Sequence, residues 1–90
     1  MSGAAKKEGG ELEAVMRAME IMEVLKGHSL DGLTLKEIST ALKGIDSTVY
    51  RTLKAMERRE FVCQYDTLRW ALSVKVLGIA RAHEYEISRR

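Results

Sequence analysis

Ninety residues make one small domain with a modest core, and an apolar fraction of 46% excludes a disordered chain. The formal net charge of +2 hides an asymmetry: residues 1–45 carry six basic and seven acidic side chains, residues 46–90 nine and six. A basic surplus confined to the second half says more about a polyanionic partner than the total does.

Residues 1–10, small, polar and glycine-rich, read as a flexible tail. Residues 11–26 read as a first helix, because Val15, Ala18, Ile21, Met22 and Leu25 recur at three and four and give one core-facing stripe. Glu13, Arg17, Glu20 and Glu23 lie off that stripe. Met16, Met19 and Val24 spread the apolar surface further, which suits either a wide core face or a dimer contact. Gly27 stops the helix, and 28–32 is a loop.

Residues 34–43 read as a second helix. Thr34 followed by Glu37 is a capping box, in which each side chain satisfies a backbone N–H of the other. Leu35, Ile38, Ala41 and Leu42 form its apolar face, with Lys36 and Lys43 exposed. Gly44 is expected to take the left-handed conformation that ends the helix. Asp46 then reads as the next N-cap, with Ile45 and Tyr50 at the flanking staple positions.

Residues 47–59 form a third helix with Val49, Leu53 and Met56 inward. Ser47, Arg51, Lys54 and Arg58 recur at four, three and four on the outward side. At about 1.5 Å per residue this stripe is roughly 16 Å long, comparable to the reach of a helix in a major groove about 12 Å wide. Residues 61–65 and 69–72 read as two strands joined at Asp66-Thr67-Leu68, and Ser73 caps a last helix running to about Ser88. Val76, Leu77 and Ala80 share one of its faces. The expected fold is mainly α with a small β-hairpin: a winged helix-turn-helix of three helices, a two-stranded wing and a C-terminal helix. The tail would occupy 1–10, the winged domain 11–72, and a linker or dimerisation helix 73–90.

Two helices joined by a tight turn, the second apolar on one side and basic plus hydroxyl-bearing on the other, are laid out to put that second helix into a DNA groove. At this point the chain resembles a known family. Residues 14–25 (AVMRAMEIMEVL), 33–42 (LTLKEISTAL), 47–53 (STVYRTL) and 69–78 (RWALSVKVLG) look, in order and spacing, like the N-terminal winged helix-turn-helix domain of the IclR-type bacterial transcription regulators. That resemblance implies a dimeric DNA-binding domain whose third helix reads the major groove. It places Ser47, Thr48, Tyr50 and Arg51 where the family contacts DNA, and Arg69 at the wing. With the basic stripe and Lys36, the expected DNA contacts are Lys36, Ser47, Thr48, Tyr50, Arg51, Lys54, Arg58 and Arg69. Met16, Met19, Val76 and Ile79 are the expected dimer interface.

The chain departs from the family in three places. Glu60 stands where a glycine is usual, the wing turn 66–68 lacks glycine, and the large C-terminal effector-binding domain has no counterpart. The chain is therefore expected to be either a DNA-binding fragment or a stand-alone small regulator.

The single cysteine, Cys63, excludes an internal disulfide and a zinc-finger site and reads as a small buried residue. His28 and His83 read as surface residues, and neither a cofactor nor a metal is expected. No apolar run is long enough for a membrane span, and there is no signal-peptide core, so the expected location is cytoplasmic, associated with the nucleoid. No Ser/His/Asp set, carboxylate pair or phosphate-cradling glycine loop suggests an enzyme. No convergent polar groups suggest a small-molecule effector site. The expected function is sequence-specific binding of double-stranded DNA as a transcriptional regulator, read as a repressor. The alternative is a winged-helix protein–protein interaction or adaptor module.

Overall fold

The computed structural model describes residues 2–66 and 68–88, with side chains from Gly10 onward. Its elements run α1 (Ser2–Leu25), β1 (Leu33–Thr34), α2 (Leu35–Leu42), α3 (Asp46–Arg58), β2 (Val62–Gln64), β3 (Arg69–Leu72) and α4 (Val74–Ser88). Four helices and a small antiparallel sheet make a winged helix, as expected. Among the described residues no helix is long and apolar enough to cross a membrane.

The first helix differs most from the sequence reading. It begins at Ser2 rather than residue 11, so the stretch read as a flexible tail carries helical backbone. No proline interrupts it, and Ala4 to Glu8 are good helix formers that offset the glycines. Its contact with the core starts late. Ile21 and Leu25 are fully buried and Ala18 and Met22 partly so, whereas Val15, assigned to the inward stripe, is 52% exposed.

Helix α2 is capped as the Thr34/Glu37 pattern requires. The Glu37 N–H donates to Thr34 Oγ1 at 3.2 Å, and the Thr34 N–H donates to Glu37 Oε1 at 2.9 Å. Its end is different: Lys43, not Gly44, takes the left-handed conformation (φ 56°), and the Gly44 N–H then bonds the Ser39 carbonyl at 2.9 Å. Space at Gly44 is tight, since a Cβ there would lie 3.2 Å from Val49 Cγ2 and the valine would have to shift by a few tenths of an ångström. Asp46 is not the cap of α3. Ile45 holds that position without a side-chain bond, and Asp46 is the first helical residue, where a carboxylate favourably faces the positive end of the helix dipole. Ile45 is 71% exposed and Tyr50 44%, so the two expected staple residues lie at the surface.

The sheet has three strands in the order β1-β3-β2. The hairpin was legible; β1 was not. It pairs Leu33 with Trp70 and Thr34 with Arg69. Gly32 permits this approach, with φ +68° and no room for a Cβ, which would sit 2.8 Å from the Trp70 carbonyl oxygen. Ile21, Leu25, Ile38, Val49, Leu53, Met56, Val62 and Trp70 form one core under both helices and sheet. Cys63 is half-buried rather than buried. One polar side chain, Ser39, is buried at 2% exposure on a face read as wholly apolar.

The chain leaves α3 sharply because Glu60 adopts φ 65°, doing in strained form what glycine does freely. Ser73 does not act as the expected cap: its hydroxyl donates to the Glu60 carbonyl. Helix α4 buries none of its residues; Val76 is half-buried, and Leu77 is 50% exposed.

Candidate nucleic-acid interface

Burial of Val49, Leu53 and Met56 fixes the rotation of α3 and turns its other side outward. Ser47, Arg51 and Arg58 are exposed on that side, and Lys54 is half-exposed. Among the described residues neither Arg51 nor Arg58 has an ion pair. Lys54 does: its Nζ lies 2.9 Å from Glu57 Oε1. The hydrogen bond and charge of Glu57 hold the Lys54 ammonium above the usual lysine range. The stripe read as uniformly basic therefore carries a carboxylate partner at its centre.

Tyr50 is shared between surface and core. Its ring meets Trp70 edge-on, with centroids 6.4 Å apart and planes at 78°. Thr48 is half-buried, and its carbonyl accepts the Thr52 hydroxyl at 3.0 Å. Lys36 sits on α2 with its Nζ 3.9 Å from Asp46 Oδ2, across the turn between the two helices.

Arg69 lies at the base of the wing rather than at its tip. It is half-buried, with Nη1 3.7 Å from Glu37 Oε1, and it donates to the Gly32 carbonyl at 3.5 Å. The tip itself, Tyr65-Asp66-Thr67-Leu68, has no cation in its sequence. Tyr65 donates its hydroxyl to the Ser29 carbonyl, which ties the wing to the loop before β1.

Of the expected dimer residues, Met16 is 63% exposed, Met19 56% and Ile79 56%. Leu12, Val15 and Leu77 lie exposed on the same two helices.

One feature escaped the sequence reading. An open groove of about 820 Å³ separates α1 from α3. Arg17 reaches across it from α1 and donates to Thr52 Oγ1 at 3.4 Å. Among the described residues five cations line the groove (Arg17, Arg51, Lys54, Arg58 and Arg59) and no carboxylate does, although Lys54 is paired to Glu57. Arg17 and Thr52 are 35 residues apart, and no periodicity within one helix reports such a contact.

With this geometry in view, comparison with known proteins adds the following. The IclR helix-turn-helix domain model matches residues 14–66. A solved structure, an IclR transcriptional regulator from Alicyclobacillus acidocaldarius, superposes with a TM-score of 0.70 at 29% identity over 78% of this chain. The chain spans only 29% of that protein's length. No curated protein matches the sequence.

Proposed function

Since the chain belongs to the IclR helix-turn-helix family, we propose that it regulates transcription by binding specific duplex DNA with α3 in the major groove. The observation that carries this reading is the exposed, unpaired arginine pair Arg51 and Arg58 on the solvent side of a helix whose other side is locked in the core. Arg51, one turn from Ser47, is the candidate for a guanine edge, because a guanidinium offers two parallel donors to its O6 and N7. Arg58, Lys54 and Lys36 suit phosphates, which fix register without reading sequence.

Arg69 is a weaker candidate, since its guanidinium is already held by Glu37. Occupation of a promoter by such a domain blocks it, so repression is the simplest outcome. A homodimer through α1 and α4 would cover Met16, Met19, Val76 and Ile79 and set two copies of α3 on half-sites about one helical turn apart. The setting is cytoplasmic, next to the nucleoid. Selection of bound sites from a random duplex pool tests the whole reading: a palindrome supports it, and recovery of no enriched sequence contradicts it. Sedimentation equilibrium at micromolar concentration tests the dimer, which a monomer both free and on DNA would exclude.

The exposed apolar residues of α1 and α4 favour a second reading, a protein-interaction module. Retention on heparin at low salt, lost as salt rises, separates the two, because only polyanion binding releases counterions.

A further inference from the structure

We propose that the groove between α1 and α3 docks an acidic amphipathic helix from a partner protein, and that this partner competes with DNA. The groove combines two surfaces. Its floor is apolar, made of Ala14, Ala18, Ala55, Met56 and Phe61. Its charged lining is cationic: Arg17, which crosses from α1 to Thr52 at one point of the groove, and Arg51, Lys54, Arg58 and Arg59 from the α3 side.

A phosphodiester strand could use the charged lining, but it offers nothing apolar to the floor. A small metabolite fits poorly because an open groove covers one side of it, whereas drug-sized ligands are mostly enclosed in their sites. A helix docked on a protein surface buries only one face, through apolar anchors spaced at three, four and seven. An acidic helix would place those anchors on the floor and its carboxylates against the charged lining. Among the described residues Arg51, Arg58 and Arg59 have no ion pair, so their guanidinium groups are free to take carboxylates. With Lys54 paired to Glu57, the four arginines of the lining still concentrate positive charge that a negative partner relieves. Arg17 is held in place for this by Thr52, whose own hydroxyl is fixed on the Thr48 carbonyl.

The docking itself stands on groove geometry; only its effect on DNA rests on the proposed function. Arg51, Lys54 and Arg58 belong to both surfaces, so occupancy by one ligand excludes the other.

The test uses a set of labelled synthetic peptides with glutamates on one helical face and leucines at spacings of three and four. Scrambled peptides of the same composition serve as controls. Binding is read by anisotropy without DNA, and then by displacement of a labelled random-sequence duplex. The ordered peptides are expected to bind and to displace the duplex at roughly tenfold lower concentration than the scrambled ones, the effect of burying about one leucine side chain. The Ala14→Gln/Ala55→Gln variant fills the groove at two exposed positions. With its melting temperature checked, it should lose peptide binding and keep duplex binding.

Equal displacement by ordered and scrambled peptides, failure of the whole set, or unchanged peptide binding by the filled variant each overturns the proposal. Self-association that the filled variant loses, in place of peptide binding, assigns the groove to a second copy of the chain and also overturns it. A chain that binds the ordered peptides but no duplex refutes the DNA reading and leaves the groove standing.

Discussion

Arg69 and Glu37 join the wing to the helix-turn-helix: Arg69 Nη1 lies 3.7 Å from the same Glu37 oxygen, Oε1, that accepts the Thr34 N–H. Because Thr34 is also the strand partner of Arg69, the cap of α2 and the base of the wing form one unit. Both side chains are partly exposed, so the pair contributes little as a bare ion pair. It adds to the backbone pairing of Thr34 with Arg69, which already joins the wing to the start of α2.

The first prediction concerns pH. The Thr34 backbone N–H is the largest influence on the Glu37 carboxyl; desolvation opposes it, and with the Thr34 hydroxyl and then Arg69 added the carboxyl is held below the usual glutamate range. A group whose acidity is raised by folding stabilises the native state above its unfolded pKa, and the contribution is lost as pH falls through the folded value. The melting-temperature gap between the native chain and Glu37→Gln should therefore be widest near neutrality and close in acid. A gap that does not change with pH would contradict the assignment.

The second prediction separates two arginines. Arg51→Ala should cost about 1–3 kcal/mol at a selected site, the usual value of one bidentate base contact. Arg69→Gln should leave the salt dependence of duplex binding unchanged, since its guanidinium faces Glu37 and Gly32. A salt slope reduced by about one would make Arg69 a phosphate contact after all.

A third concerns the hydroxyl of Ser39, which is 2% exposed and for which Oγ has no hydrogen-bond partner among the described residues. Desolvating such a group without a bond costs about 1–3 kcal/mol. Ser39→Ala, which also favours helix, should raise stability by about 1 kcal/mol in a denaturant titration. A loss of stability would mean that the hydroxyl is satisfied.

The sequence made much of this legible, and its failures have physical causes. The core face of α3 and the Thr34/Glu37 cap rest on spacings within one helix, and both appear; on α2 Ile38 is buried and Leu35 and Leu42 partly so, but Ala41 is exposed and Ser39 is buried instead. The turn after α2 was misread by one residue, because Lys43 accepts the left-handed conformation that glycine is presumed to need, while Gly44 meets a steric demand from Val49. Strand β1 is two residues long, too short for any alternation to show. In the candidate site, the outward stripe on α3 was read correctly from period alone. Its partners were not: the Arg69–Glu37 pair, the Tyr50–Trp70 contact and the Arg17–Thr52 bridge are all tertiary, joining elements with no sequence pattern in common.

The fourth prediction uses Tyr50, which serves both surface and core. Tyr50→Phe keeps the ring against Trp70 and should preserve the melting temperature while weakening binding to a selected site. Tyr50→Ala should also cost about 0.5–1.5 kcal/mol of stability, the range for an edge-on aromatic pair. If Tyr50→Phe binds as tightly as the native chain, the hydroxyl has no part in the interface.

The most direct test of the central claim is the affinity of the Arg51→Ala/Lys54→Ala double variant for a selected duplex, measured by anisotropy across a salt series, with folding verified by thermal melting. Neither side chain is in the core, so the variant should melt as a folded domain. The account predicts a large loss of affinity and a shallower salt slope. Native-like affinity and slope in the folded variant would contradict the reading of α3 as the helix that meets DNA.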